Sequence, residues 1–88
     1  MAKFMCTHTI QPGKLSVEQL RHFTHAAQMD PAVKGYRSFA NLAEGKAICV
    51  MEASNKDAVA VWFQKMGMPY DSITRVELEG DHGNILTA

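Results

Sequence analysis

The chain has 88 residues, of which 47% are hydrophobic, and its nine Lys and Arg residues balance nine Asp and Glu residues. This length predicts one domain, residues 1–88, and the apolar fraction excludes a disordered chain. A neutral chain lacks the basic surface of a nucleic-acid-binding or membrane-surface protein, so we expect neither partner.

The first predicted element is a strand from Phe4 to Ile10, because the side chains there alternate between two faces. Phe4, Cys6, His8 and Ile10 share one face. His8 is therefore a polar group among apolar neighbours, which is either hydrogen-bonded in a core or part of a pocket lining.

A helix follows this strand. Ser16 and Gln19 have the spacing of a capping box. The helix should end near Met29, because Asp30 precedes Pro31 and is biased away from helical geometry. Its apolar stripe contains Val17, Leu20, Phe23, Thr24 and Ala27.

The opposite side of this helix carries possible metal ligands. Glu18, His22, His25 and Met29 lie within about 60° of each other at 100° per residue. Imidazole and carboxylate groups suit Zn, Ni or Cu. The alternative is a polar helix face that only contacts water or a partner.

The second half of the chain is marked by turn and cap residues. A second strand from Gly35 to Leu42 and a third from Lys46 to Ala53 flank a short loop with Gly45 at the position of positive φ. Ser54 with Asp57 resembles a helix cap followed by an acidic first turn. The apolar stripe of the second helix contains Val59, Trp62, Phe63 and Met66.

The second helix should stop at Gly67, since Pro69 forbids its continuation. A fourth strand is predicted from about Ser72 to Glu79. Residues 80–88 are predicted to form a C-terminal tail that ends in Ile85 and Leu86.

The element order β-α-β-β-α-β predicts an α+β, ferredoxin-like fold. Its four-stranded antiparallel sheet would carry both helices on one face, with strands one and three in the centre. Strand three is apolar on both faces, so we expect a second subunit to cover the free face in a sheet-to-sheet homodimer. The alternative is that the tail and long side chains shield that face.

Glu52 is a carboxylate beside Ile48 and Val50 on strand three. Because strands one and three should be neighbours, Glu52 and His8 are expected to converge, and a buried carboxylate needs a partner. The alternative places both residues at strand ends, where solvent reaches them.

The compartment is predicted to be the cytoplasm. Met1-Ala2-Lys3 leads directly into a strand rather than a signal peptide. Cys6 and Cys49 lie in apolar runs, as is typical of free buried thiols. The chain has no Cys-x-x-Cys motif, Gly-rich phosphate loop or Gly-x-Ser-x-Gly motif.

Three segments resemble a family of small bacterial proteins: Phe4 to Ile10, Cys49 to Ala53, and Gly67 to Ile73. That family includes an actinobacterial nickel-binding protein of ferredoxin-like fold that dimerises. The resemblance implies a dimeric α+β domain and a divalent transition metal such as nickel as a ligand. The chain departs from the family pattern at three places. Members usually carry an acidic residue where Thr7 stands and a basic residue where His8 stands. They often carry a His in the second helix, where this chain has Trp62-Phe63-Gln64.

Three functions remain open at this point. The first is a small dimeric binding protein for a transition metal, using some of His8, Glu52, His22 and His25. The second is a cofactor-poor enzyme of the dimeric α+β barrel type, a monooxygenase or isomerase, with His8 as a general base in a cleft between sheet and helices. The third is an accessory interaction protein without a small-molecule site.

Overall fold

The structure, a computed structural model, describes residues 1–88 and confirms the α+β class. The elements are β1 (Ala2–Thr9), α1 (Val17–Met29), β2 (Val33–Asn41), β3 (Lys46–Ala53), α2 (Lys56–Met66), β4 (Ser72–Arg75), β5 (Leu78–Asp81) and β6 (Asn84–Thr87). Strands β1 to β4 form an antiparallel sheet in the order β2-β3-β1-β4, and β5 pairs with β6 separately. The predicted split βαβ order, with β1 and β3 central, is confirmed.

Both helices begin and end at specific cap residues. The capping box of Ser16 and Gln19 is present at α1. The predicted cap of α2 was wrong by one residue: Asn55, not Ser54, accepts the Ala58 N–H at 2.9 Å. The α2 helix starts at Lys56, so only Asn55 has the cap position from which a side chain reaches the third helical N–H. Neither helix has the length and apolar content needed to cross a membrane.

The core lies between the sheet and the helices. Cys6 stands opposite Cys49 on β3 and opposite Ile73 on β4, so their side chains share one face of the sheet. Both helices pack on that face. The buried apolar core consists of Phe4, Cys6, Ala27, Val33, Cys49, Met51, Ala53, Val59, Trp62, Phe63, Met68 and Ile73.

Gly45 closes the turn between β2 and β3 against the end of β1. Its φ is +70°, and a Cβ added there would lie 1.9 Å from the Ile10 carbonyl oxygen. The Gly45 carbonyl accepts the Ile10 N–H at 2.8 Å. Glycine is required here both for its conformation and for this close approach.

The C-terminal region differs from the prediction. The fourth strand ends at Arg75 rather than Glu79, after which Val76 makes one more backbone bond to Lys3. The predicted tail, residues 80–88, belongs to the β5–β6 hairpin. His82 and Gly83 have φ values of 49° and 89°, the positive values of a type I′ turn, whose twist matches that of paired strands.

The far face of the sheet carries a central apolar band. Val50 lies between Met5 and Arg37, and in the next row Ile48 lies between Thr7 and Phe39. The exposed fractions of Met5, Ile48 and Phe39 are 40%, 41% and 61%. Rows with charged residues border the band on both sides: Lys3, Glu52 and Lys34 on one, and Thr9, Lys46 and Asn41 on the other.

Candidate functional site

His8 occupies a sealed position between β1 and α2. Its side chain is 1% exposed and its ring meets the Phe63 ring edge-on, with 4.9 Å between centroids. Nδ1 lies 2.9 Å from the Pro69 carbonyl oxygen, which can only accept, so Nδ1 donates this bond. Nε2 is buried without a hydrogen-bond partner.

Glu52 lies far from His8, so the expected convergence was wrong. His8 stands opposite Ala47 on the buried face, whereas Glu52 stands opposite Lys3 and Lys34 on the far face. Five residues of β3 separate the two positions, roughly 17 Å at about 3.3 Å per residue. Two lysines flanking Glu52 also disfavour a cation at its carboxylate.

His22 and His25 lie on the exposed side of α1, as predicted. Glu18, in the same stripe, accepts a hydrogen bond from Arg21 at 2.6 Å and is therefore already paired. Residues three apart on a helix have Cβ atoms about 5–6 Å apart. The structure thus brings His22 and His25 together, and separates both from His8 and Glu52.

The two cysteines face each other across β1 and β3 as free thiols. Burial, with a smaller effect from Cys49, raises the pKa of the Cys6 thiol to about 12. Burial also raises the pKa of Cys49. Metal ligation and nucleophilic attack require the thiolate, so this pair is unsuited to either role near neutral pH.

No group of three or more His, Cys, Asp or Glu side chains is arranged to hold a metal ion. His22 and His25 on α1 are a pair of exposed donors rather than a complete ligand set. A metal bound there would take its remaining ligands from water or from another molecule.

A polar cluster, which the sequence did not reveal, joins the β5–β6 hairpin to the main sheet. Glu79 accepts hydrogen bonds from Lys3 at 2.9 Å and from the Tyr36 hydroxyl. The Lys3 ammonium lies 4.0 Å from the centroid of the Tyr36 ring. The hydrogen bonds from Lys3 and Tyr36 lower the pKa of Glu79, and the hydrogen bond to Glu79 raises the pKa of Lys3.

A cleft of about 400 Å³ lies between α1, the β2 edge and α2. Trp62 and Phe63 line it, and Arg21 lies at its rim; Arg37 also borders it, but stands opposite Val50, whose side chain is on the far face of the sheet. The enzyme hypothesis requires such a cleft, but His8 is not part of the lining. Sequence reasoning missed the extent of this cleft because an apolar helix stripe does not reveal how closely the helix approaches the sheet.

Fold and site define a small α+β domain with two exposed imidazoles on α1 and a cleft between α1 and the sheet. The chain belongs to the family described as "Nickel responsive protein SCO4226-like", whose model matches residues 4–76. It is similar to SCO4226 from Streptomyces coelicolor A3(2), whose crystal structure superposes with a TM-score of 0.74 at 29% sequence identity. That similarity covers 90% of this chain and 100% of the other. No curated protein matches the chain.

Proposed function

We propose that this protein is a small homodimeric binding protein for a divalent transition metal, with nickel as its ligand. The observation that carries the proposal is the pair His22 and His25, two exposed imidazoles on α1 in a chain of a nickel responsive family. Imidazole is a ligand that suits nickel, and both rings can approach one ion from adjacent turns.

His22 and His25 fit this role better than the other two candidates. Neither has a hydrogen-bonded partner on its ring, whereas the His8 ring is sealed in the core. Glu52 lies between two lysines. We therefore assign nickel binding to α1, with water or the partner subunit completing the coordination.

The proposed dimer uses the far face of the sheet. Met5, Ile48 and Phe39, with Arg37 opposite Val50 and charged rows on both sides, have the composition of a protein interface, in which Met, aromatic residues and Arg are enriched and the rim is polar. Three large apolar residues of the band are at least 40% exposed in the single chain. The free thiols of Cys6 and Cys49 support a cytoplasmic setting for this dimer, because thiols stay reduced there.

A thermal-shift series with NiCl₂ tests the metal assignment. The protein is freed of any affinity tag and treated with chelator, and Ni²⁺ is then added to the wild type, to a His22→Ala/His25→Ala variant and to His82→Ala. His82 is the matched control, because it is also exposed but lies in the β5–β6 turn beside Asp81.

A ligand that binds only the folded state raises the melting temperature. We expect Ni²⁺ to raise it for the wild type and for His82→Ala, and to have little effect on the double variant. Equal shifts in all three proteins would place the metal elsewhere, and no shift in any would remove the proposal.

A further inference from the structure

The β5–β6 hairpin has an apolar face that points away from its own chain. Glu79, which accepts a hydrogen bond from Lys3, marks the inner face of the hairpin. Side chains alternate along a strand and cross-strand partners share a face, so the outer face consists of Leu78, Gly80, Ile85 and Thr87. This outer face carries no charge, and its Leu78 and Ile85 are 57% and 69% exposed. Large apolar side chains gain by leaving water, which favours contact of this face with another molecule.

The charges of the hairpin and of the main sheet are complementary. The inner face of the hairpin carries Glu79 and Asp81. The far face of the sheet carries four cationic side chains and one carboxylate: Lys3, Lys34, Arg37, Lys46 and Glu52. Two such faces in direct contact would repel each other, so an acidic hairpin held between them favours association of two copies.

The outer face of the hairpin is continuous with the apolar band of the sheet, Met5, Ile48 and Phe39. Glu79 reaches Lys3 on the far face, so the hairpin stands on the same side of the sheet as the band. Packed sheets lie about 10 Å apart, and a hairpin that stands on one sheet occupies the layer into which a second sheet would pack. A second copy of the chain therefore meets the hairpin and the band together.

We propose that the hairpin is an intersubunit arm, whose Leu78 and Ile85 pack on the apolar band of a second copy. In a two-fold dimer the same contact occurs twice, so each band receives one arm. This inference rests on the proposed homodimer and assigns the segment that joins its two subunits. It is independent of the nickel ligands, because α1 lies on the other face of the sheet.

Sedimentation equilibrium of the full-length protein measures the dissociation constant of the dimer. Leu78→Ser/Ile85→Ser should raise this constant at least about tenfold, because apolar surface is lost from both arm contacts. Leu86→Ser is the matched control, since Leu86 lies in the same hairpin but on the inner face and is 48% exposed. Its dissociation constant should stay within about threefold of the wild type.

Mixing two variants tests whether the arm contacts the band. Phe39→Ser impairs the band and leaves the arm intact, whereas Leu78→Ser/Ile85→Ser impairs the arm and leaves the band intact. A heterodimer of the two keeps one contact between an intact arm and an intact band, and each homodimer keeps none. An equimolar mixture should therefore associate more tightly than either variant alone.

The outcomes separate the arm from the dimer. If the wild type is a dimer and Leu78→Ser/Ile85→Ser or the mixture shows no such effect, the arm is overturned and the dimer stands. Equal weakening by Leu86→Ser would also overturn the arm, because the outer face would then have no special role. A monomeric wild type would remove dimer and arm together, and the nickel response of His22 and His25 would still be measured separately.

Discussion

At the scale of single residues, His8 is a buried polar side chain of the core. It packs on Phe63 and its Nδ1 bonds to the Pro69 carbonyl at 2.9 Å. We predict that His8→Ala lowers the free energy of unfolding by about 2–4 kcal/mol, because it leaves a cavity and an unpaired carbonyl. Urea denaturation measures this, with His25→Ala at an exposed position of α1 as the control. A loss below about 0.5 kcal/mol, typical of surface sites, would contradict it.

Asp30 connects the ends of the two helices. Its carboxylate is 7% exposed, lies 2.6 Å from the Lys65 ammonium and accepts the Ala32 N–H. The hydrogen bonds from Lys65 first, and then from Ala32, hold the pKa of Asp30 below its ordinary value of 3.8. A lowered folded-state pKa means that the stabilisation is complete above the unfolded-state pKa and is lost as the pH falls through the folded-state value.

We therefore expect Asp30→Asn to be less stable than the wild type at pH 7. The difference between the two proteins should shrink as the pH falls below about 4, where the wild-type carboxylate takes up its proton. Denaturation series at pH 7, 5 and 3 measure this convergence. A constant difference across the series would show that the ionised carboxylate is not the stabilising form.

The positions of His8 and Glu52 show what single-residue patterns can and cannot predict. Alternation in β1 correctly assigned His8 to a face with Phe4 and Cys6. Alternation in β3 could not identify the buried face, because Ile48 and Val50 are as apolar as Cys49 and Met51. The pairing of Cys6 with Cys49 decides it, and a cross-strand register cannot be obtained from one strand alone.

At the scale of elements, the start of α2 offers a direct test. Asn55 accepts the Ala58 N–H, whereas Ser54 precedes the cap and is exposed. We predict that Asn55→Ala costs about 1 kcal/mol of unfolding free energy, as for other cap losses. Ser54→Ala is the matched neighbour and should stay within about 0.5 kcal/mol of the wild type. Thermal and urea denaturation of both variants decide between the two caps.

Local sequence signals predicted most helices and strands because caps, glycines and prolines act within a few residues. The β5–β6 hairpin was missed although a signal was present: Gly83 follows His82 between two short runs that can pair. Because this segment begins with polar residues, it was predicted to be a C-terminal tail. The cleft beneath α1 had no local signal, because it depends on the distance between two elements.

At the scale of the whole molecule, the far face of the sheet predicts a dimer. We expect light scattering after size exclusion to give about twice the chain mass of 9.7 kDa. Phe39→Asp should shift the protein toward the monomer, because it buries a charge in the proposed interface. Val61→Asp is the control: Val61 is 60% exposed, nearly the same as Phe39, but lies on α2. A monomeric wild type, or equal effects of both variants, would contradict the dimer.

Overall topology was predictable because element order and apolar periodicity restrict a short α+β chain to few arrangements. Function was less predictable. The fold brings together only two of the four residues considered as metal ligands, and those two are neighbours along one helix. To know which residues of different elements come together, the strand register and the packing of the folded chain are needed.

Calorimetric titration of Ni²⁺ into the metal-free, tag-free protein tests the central claim most directly. The account predicts a saturable heat that reaches no more than one ion per chain and disappears in His22→Ala/His25→Ala. Only the heat of dilution with the wild type, or an unchanged heat in the double variant, would contradict it.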